Sequence, residues 1–144
     1  MRSALDCASQ AADAGEVPIG AVVVFDGRVV GEGFNQPISS HDPTAHAEVM
    51  ALRAAGTAVG NYRLTGAMLY VTVEPCLMCV GAMVHARIGT VVYGAPEPKA
   101  GALQSMTNAH ELPGLNHRLT TVGGILADES RALLQKFFLA RRAL

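Results

Sequence analysis

The sequence predicts a three-layer α/β/α domain, in which helices cover both faces of a central mixed sheet of about five strands. One observation is a pair of β-rich runs joined by Asp26-Gly27, a dipeptide typical of a hairpin turn. The other is a strand, helix, strand succession between Met68 and Tyr93, which implies a parallel pair with a right-handed crossover. We therefore expect a sheet that is antiparallel at its start and parallel later, in one domain over residues 1–144.

The first half of the chain predicts two helices with the hairpin between them. Leu5, Ala8 and Ala12 form one apolar face of a helix over 2–14, which Gly15 ends. The hairpin strands cover 19–25 and 28–33. A loop then leads to a second helix, for which Asp42-Pro43-Thr44 offers N-cap residues and a first-turn proline, and which we expect to end at Gly56.

The second half predicts three strands and two helices. The run 68–73 is apolar at every position but one, which is typical of a strand buried on both faces. Pro75-Cys76 begins a helix that continues to about Ala86, and 88–93 is the next buried strand. After an irregular region, a short strand covers 118–122 and a closing helix covers 128–142.

Composition and charge exclude several classes of protein. Half of the 144 residues are hydrophobic and 16% are charged, which indicates a globular rather than a disordered chain. No apolar run reaches the roughly 18 residues of a membrane span, and Asp6 falls where a secretory leader has its apolar segment. The 3 cysteines make no disulfide framework, so we expect a cytoplasmic protein without a membrane partner.

One histidine and two cysteines suggest a metal site. His46, Cys76 and Cys79 make a three-ligand zinc set that leaves the fourth tetrahedral position open, as in catalytic rather than structural sites. Residues two apart point to nearly opposite sides of a helix, so His46 and Glu48 can face one metal only at a helix start. The cysteines also begin a helix, whose positive end favours thiolates. The pattern predicts two helix N-termini that hold one metal, with Glu48 as general acid and base.

Two other interpretations of these residues stay open at this point. A C-x-x-C pair at a helix start also occurs in thioredoxin-like redox proteins, although His46-Ala47-Glu48 weighs against that use. A closed structural site needs a fourth ligand, which His85 could supply at an atypical spacing. We expect His41, His110 and His117 to be ordinary polar or capping residues.

Five stretches of the chain resemble a known family. They are Gly15-Glu16-Val17-Pro18-Ile19-Gly20-Ala21-Val22, His41-Asp42-Pro43-Thr44-Ala45-His46-Ala47-Glu48, Glu74-Pro75-Cys76-Leu77-Met78-Cys79, Asn116-His117-Arg118 and Gly124-Ile125-Leu126-Ala127-Asp128-Glu129. The H-x-E and P-C-x-x-C elements are the established signature of zinc nucleobase deaminases. The chain thus resembles the cytidine-deaminase-like superfamily and, within it, the bacterial tRNA-specific adenosine deaminases.

The resemblance implies a role for individual residues. His46, Cys76 and Cys79 would hold one Zn²⁺ per chain, and Glu48 would move protons as adenosine becomes inosine at the wobble position of a tRNA anticodon. The resemblance also implies a homodimer. Asn35 matches the asparagine that contacts the flipped nucleotide, and Glu97 stands where relatives commonly have aspartate near the target ribose. The closing helix, which the family lays against the anticodon stem-loop, carries Phe137, Phe138, Arg141 and Arg142.

Three functions fit these residues. The first is a tRNA wobble adenosine deaminase, and the second is a deaminase of free nucleosides or bases on the same scaffold. The third is a catalytically silent RNA-binding or assembly subunit, against which the intact Glu48 argues. Net charge is only −1, but the segment from His117 onward carries more cations than anions, which argues modestly against the second function.

Overall fold

The computed structural model describes residues 1–144 and contains a mixed sheet of five strands in the order β2-β1-β3-β4-β5. Strand β1 is antiparallel to both β2 and β3, whereas β3, β4 and β5 run parallel. This confirms the predicted mixed sheet. The strands are β1 (Gly20–Phe25), β2 (Arg28–Phe34), β3 (Met68–Val73), β4 (Thr90–Ala95) and β5 (Thr120–Val122).

Helices cover both faces of this sheet. Gly20 lies directly against α1, while Gly33, which pairs with the next residue of β1, lies against α2. Because successive strand residues face opposite sides, α1 and α2 lie on opposite faces. Helix α3 contacts α2 and α4 contacts α1, which completes the three layers. The helices are α1 (Arg2–Asp13), α2 (Ala47–Val59), α3 (Leu77–Ala86) and α4 (Ala127–Arg142), with a 3₁₀ turn at Ala109–Glu111.

Two glycines of β2 let α2 lie unusually close to the sheet. A Cβ atom on Gly31 would sit 2.3 Å from the Ala51 carbonyl oxygen, and one on Gly33 would sit 2.5 Å from that of Ala47. On the helix side, Ala47, Ala51 and Ala55 are fully buried. Since neither surface has room for a larger side chain, the backbone of β2 fixes the position of the α2 N-terminus.

The structure confirms that His46 and Glu48 lie at the start of a helix, but the expected N-cap residue and the expected end of α2 were wrong. The helix begins at Ala47 with His46 at the N-cap, because the Asp42 carboxylate instead accepts hydrogen bonds from the Thr44 N–H and hydroxyl at 2.8 and 2.7 Å. That interaction makes an Asx turn rather than a helix cap. Gly56 lies within the helix, which ends at Gly60 in a left-handed conformation with φ 75°.

The start of β4 also differs from the expectation. The Ile88 N–H donates to the Met83 carbonyl oxygen at 3.1 Å, after Arg87 has turned the chain with φ 62°. This is how a helix C-terminus satisfies its last carbonyl groups. Ile88 therefore takes part in the C-terminal cap of α3 and not in the strand, which begins at Thr90. The remaining elements match their expected bounds to within two residues.

The main core lies between the sheet and the layer formed by α2 and α3. Leu64, Leu69, Met83 and Ile88 are among its fully buried side chains. Helix α4 is packed more loosely, and its one buried residue, Ser130, donates a hydroxyl hydrogen bond to the Thr72 carbonyl oxygen at 2.5 Å. No helix combines the length and apolar character needed to cross a membrane.

Candidate metal centre

The three predicted metal ligands come together at the N-termini of α2 and α3. His46 is the N-cap of α2, Cys76 is the N-cap of α3, and Cys79 lies in the first turn of α3. The His46 Nδ1 atom lies 3.6 Å from the Sγ atom of each cysteine. A tetrahedral zinc ion with bonds of about 2.0 Å to nitrogen and 2.3 Å to sulfur separates those atoms by about 3.5 Å. The arrangement therefore fits zinc.

No fourth protein ligand joins the cluster. His46, Cys76 and Cys79 are the only group of three or more potential ligands whose donor atoms lie within 4.8 Å of one another. His85 is exposed near the end of α3 and lines a groove between α2 and α3 instead. The closed structural site that His85 would have completed is not formed, so one coordination position is left for a water or a substrate.

The two thiols differ sharply in acidity. The hydrogen bond donated by Cys79 is the main cause that lowers the pKa of Cys76 to about 4, with further help from His46. The same hydrogen bond and burial raise the pKa of Cys79 well above its usual range. A cysteine with a lowered pKa at the positive end of α3 is suited to offer a thiolate to a cation.

Glu48 lies beside the ligands but is not one of them. Its side chain is only 4% exposed, in the first turn of α2. Burial raises the pKa of Glu48 to about 7, with the Cys76 charge adding to the effect. A carboxyl that titrates near the working pH can both accept and donate a proton, which is the requirement for a general acid and base.

Asn35, which directly follows β2, contacts the start of α2 next to His46. The side chain is buried, and its Oδ1 atom accepts a hydrogen bond from the Ala47 N–H at 2.9 Å. It therefore caps α2 from outside the helix, a role that the sequence gave no reason to expect. Its Nδ2 group makes no hydrogen bond within the chain and can donate to a ligand.

Two buried carboxylates that sequence reasoning missed hold loops on either side of the centre. Glu16 accepts hydrogen bonds from the N–H groups of Ile38 and Ser39, in the loop that leads from Asn35 towards His46. Glu74 accepts hydrogen bonds from the loop that follows β4. The sequence did offer one signal for their importance. Each is an acidic residue at the edge of an apolar stretch, and each lies in one of the stretches that resemble the family.

Glu97 lies in the loop after β4 and is half-buried. One of its carboxylate oxygens accepts a hydrogen bond from the Lys99 N–H at 2.9 Å, so this oxygen stabilises the turn of its own loop. The Glu97 side chain, which is one methylene longer than an aspartate, is therefore partly used within the chain. Contact with a ribose stays a prediction.

The predicted RNA-binding residues of α4 lie outside the metal cluster. The Phe137 and Phe138 rings pack edge to face at 5.4 Å, and Phe138 is 44% exposed. The Arg141 guanidinium lies 4.9 Å from the Phe137 ring centroid and donates to the Gly15 carbonyl oxygen, whereas Arg142 makes no ion pair or hydrogen bond. Binding of RNA by these residues stays a prediction.

Comparison with known proteins identifies the family. Residues 1–95 match the sequence profile of the family described as "Cytidine and deoxycytidylate deaminase zinc-binding region". The chain belongs to this family. The matched segment contains the clustered residues His46, Cys76 and Cys79 and also Glu48, so the candidate metal centre lies within the shared region.

Individual members of the family are similar over almost the whole chain. A tRNA-specific adenosine deaminase of Haemophilus influenzae is 47% identical over 143 residues, which are 99% of this chain and 83% of that protein. One from Agrobacterium fabrum is 44% identical, covering 99% of this chain and 93% of that protein. A solved structure from a study of A-to-I editing by tRNA:A34 deaminases superposes with a TM-score of 0.90 at 44% identity, covering 93% of this chain and 97% of that one.

Proposed function

We propose that this protein is a zinc-dependent tRNA adenosine deaminase that converts adenosine to inosine at the wobble position of the anticodon. The observation that carries the proposal is the open three-ligand centre with buried Glu48 beside it, in a chain that is 47% identical to a tRNA-specific adenosine deaminase. Zinc nucleobase deaminases pair such a centre with one glutamate that does not bind the metal.

His46, Cys76 and Cys79 would hold the zinc ion, which when bound supplies a Lewis acid that polarises the attacking water. The Glu48 carboxylate accepts a proton from that water and delivers it to N1 of adenine, while the water oxygen bonds to C6. The carboxylate then takes the remaining proton from the new C6 hydroxyl and passes it to the amino group. The C6–N bond breaks, ammonia leaves, and the C6 carbonyl of inosine is formed. Burial keeps the pKa of Glu48 at about 7, which suits both directions of transfer.

Other groups orient the nucleotide. Asn35 donates to the flipped nucleotide through its Nδ2 group, which is consistent with the absence of an internal partner for that group. Glu97 keeps one carboxylate oxygen for the ribose while the other holds the Lys99 N–H. An anticodon loop presents its wobble base already unpaired, so flipping it costs a few kcal/mol or less. Phe138 and Arg142, exposed on α4, serve the flanking bases and phosphates.

The protein acts as a homodimer of single deaminase domains, each spanning residues 1–144. An apolar groove between α2 and α3 supports this assembly, because it is lined by Val49, Leu52 and Ala82 and flanked by Tyr62, which is 70% exposed. These are the two helices whose N-termini hold the metal. A cytoplasmic location agrees with the tRNA substrate and with three free cysteines.

The deciding experiment compares RNA with free nucleosides. We expect the zinc-loaded protein to convert adenosine to inosine in an anticodon stem-loop with a wobble adenosine, and to leave free adenosine, cytidine and guanine nearly unchanged. A stem-loop with guanosine at the wobble position is the matched control. Equal turnover of a free nucleoside and the stem-loop would refute the tRNA substrate, and inactivity on every substrate with full zinc content would favour a silent subunit.

The homodimer has a separate test. Sedimentation velocity should give a mass of about twice the 15.0 kDa chain, and Tyr62→Asp should shift it towards the monomer by placing a charge in the groove. Leu112 is exposed and does not line the groove, so Leu112→Asp is the control and should leave the mass unchanged. A monomer at all concentrations would contradict the proposal.

A further inference from the structure

The geometry points to Glu74 as a positioning residue that locks residues 97–105, here named the 97–105 loop, onto the metal-binding segment. This inference rests on the proposed function only in assigning a substrate to the loop. Glu74 is the first residue after β3 and stands two positions before the ligand Cys76. The 97–105 loop follows β4 and carries Glu97.

Five donors of the loop converge on the Glu74 carboxylate. One oxygen accepts the Glu97 N–H at 3.0 Å and the Ser105 hydroxyl at 2.5 Å. The other accepts the N–H groups of Leu103, Gln104 and Ser105 at 3.1, 2.8 and 3.0 Å. Both ends of the loop are thus bound to one side chain.

The loop fits around this carboxylate with no spare room. A Cβ atom on Gly101 would sit 2.3 Å from the Glu74 Cδ atom. Main-chain hydrogen bonds add to the attachment, since the Glu74 N–H donates to Ala95 and the Ala102 N–H donates to Pro75, at 2.8 and 2.9 Å. The 97–105 loop is therefore packed closely against Glu74 and Pro75.

Charge explains why this arrangement is specific to a carboxylate. Glu74 is buried and forms no ion pair, so the N–H and hydroxyl donors are the groups that compensate its negative charge. A buried carboxylate that lacks hydrogen-bond donors is strongly destabilised. Conversely, the N–H and hydroxyl groups of the loop would lose hydrogen bonds to a charged acceptor if the carboxylate were removed. A glutamine of the same shape would aim an amino group at N–H groups, so it cannot replace all five contacts.

The position of Glu74 links two parts of the site. Its side chain holds the loop with Glu97, and its main chain leads through Pro75 into the α3 N-terminus with Cys76. A change at Glu74 should therefore displace the substrate-binding loop more than the metal ligands. His46 belongs to the start of α2 and Cys79 to the first turn of α3, and these helices do not depend on the loop. Glu74 acts through the loop and does not touch the reacting atoms.

The test compares Glu74→Gln with Glu16→Gln, because Glu16 is the other buried carboxylate that holds a loop. For each variant, zinc content, backbone hydrogen exchange and steady-state kinetics on the stem-loop are measured. We expect Glu74→Gln to keep its zinc and to exchange the amides of 97–105 at least roughly tenfold faster, because charged hydrogen bonds are lost. Glu16→Gln should instead speed exchange near Ile38 and Ser39.

The kinetic expectation for Glu74→Gln is a KM raised roughly tenfold or more with a much smaller change in kcat, since a loosened loop weakens substrate binding. Ser105→Ala removes one of the five donors and should give the same pattern more weakly, which keeps the test valid if Glu74→Gln folds poorly. The inference would be overturned if the amide hydrogens of 97–105 exchanged at the wild-type rate in both Glu74→Gln and Ser105→Ala. It would also be overturned if exchange rose evenly over the whole chain while KM stayed unchanged. Because exchange needs no substrate, it still decides the matter if the stem-loop is not turned over.

Discussion

Glu16, Glu48 and Glu74 are three buried glutamates whose hydrogen-bond surroundings give them different chemistry. Burial alone favours the neutral form of each. It dominates at Glu48 and raises the pKa to about 7. At Glu16 and Glu74 burial is also the largest single influence, but hydrogen bonds from Ser39 and Ser105 and their neighbours together outweigh it and lower the pKa. One residue type thus supplies a carboxyl with a pKa near neutrality and two loop anchors that are ionised at neutral pH.

For Glu48, we predict that Glu48→Gln keeps zinc and fold while the rate falls by roughly 10²–10⁴, the usual contribution of a positioned general acid and base. Inosine formation in single-turnover assays and zinc content are the measurements. Glu32→Gln, a change at an exposed glutamate of β2, is the control and should leave both unchanged. A Glu48→Gln protein that lost its metal would mean that Glu48 is a ligand.

For Glu16, we predict a contribution to stability that depends on pH. The folded-state pKa lies below the usual 4.5, so at acidic pH the unfolded chain binds more protons than the folded one. The contribution is therefore complete above about pH 5 and is lost as the pH falls through the folded-state value. Urea unfolding of wild type and Glu16→Gln between about pH 3 and 7 checks this, and the difference between them should shrink towards the acid end. A constant difference would contradict the assignment.

Single residues also show which parts of the site the sequence could predict. His46, Cys76, Cys79 and Glu48 were recognisable because metal chemistry dictates residue type and spacing, and the structure brings all three ligand atoms together. Glu74 was missed because its partners are backbone N–H groups about 30 residues later in the chain, and any residue type supplies those. The fold alone determines which N–H groups meet there.

At the scale of elements, the contact between the hairpin and α2 places one side of the metal centre. Helix α2 meets β2 through Gly31 and Gly33 and its own alanines, so its start is fixed by backbone contact rather than by flexible side chains. The sequence predicted the strand β2 and the helix α2 but not their close contact. Periodicity shows which face of an element is apolar, but it does not show how closely two such faces approach. The sequence also indicated the wrong N-cap for α2, since the Asp42 carboxylate can either cap a helix or form an Asx turn.

We predict opposite effects for two glycine-to-alanine changes. Gly33→Ala places a methyl group 2.5 Å from the Ala47 carbonyl oxygen and should lower the free energy of unfolding by about 1–3 kcal/mol, the usual cost of overpacking. It should also weaken zinc binding, because the α2 N-terminus carries His46. A Cβ atom on Gly81, within α3, would have no atom within 4 Å. Gly81→Ala should therefore raise the free energy of unfolding by about 0.5–1 kcal/mol, because alanine favours the helix more than glycine does. Denaturant unfolding and zinc titration measure both, and a neutral Gly33→Ala would refute the close-contact account.

At the scale of the whole molecule, α4 is the element least committed to the core. It buries only Ser130, and it presents Phe138, Leu139 and Arg142 to solvent. Net charge is −1, so any attraction for RNA has to come from the local distribution of cations. The sequence located the cations of this helix but not their individual surroundings, because a pattern of arginines does not reveal which one meets an internal carbonyl group.

The last prediction separates the two arginines that end α4. The Arg141 side chain donates to the Gly15 carbonyl oxygen and stacks on Phe137, so Arg141→Ala should speed hydrogen exchange at the end of α4 and near Gly15. The salt dependence of stem-loop binding should change little. Arg142 is exposed without such partners, so Arg142→Ala should reduce the slope of log K against log salt concentration by about 0.7–0.9, the value for one phosphate contact.

Binding titrations of both variants at several salt concentrations, with exchange measured in parallel, separate these roles. Because Arg141→Ala and Arg142→Ala remove the same charge one residue apart, each is the matched control for the other, and a general loss of positive charge would change both slopes equally. A slope that falls for Arg141→Ala without faster exchange would show that Arg141 leaves Gly15 to bind a phosphate. An unchanged slope for Arg142→Ala would assign its charge to the negative end of the α4 dipole instead of to RNA.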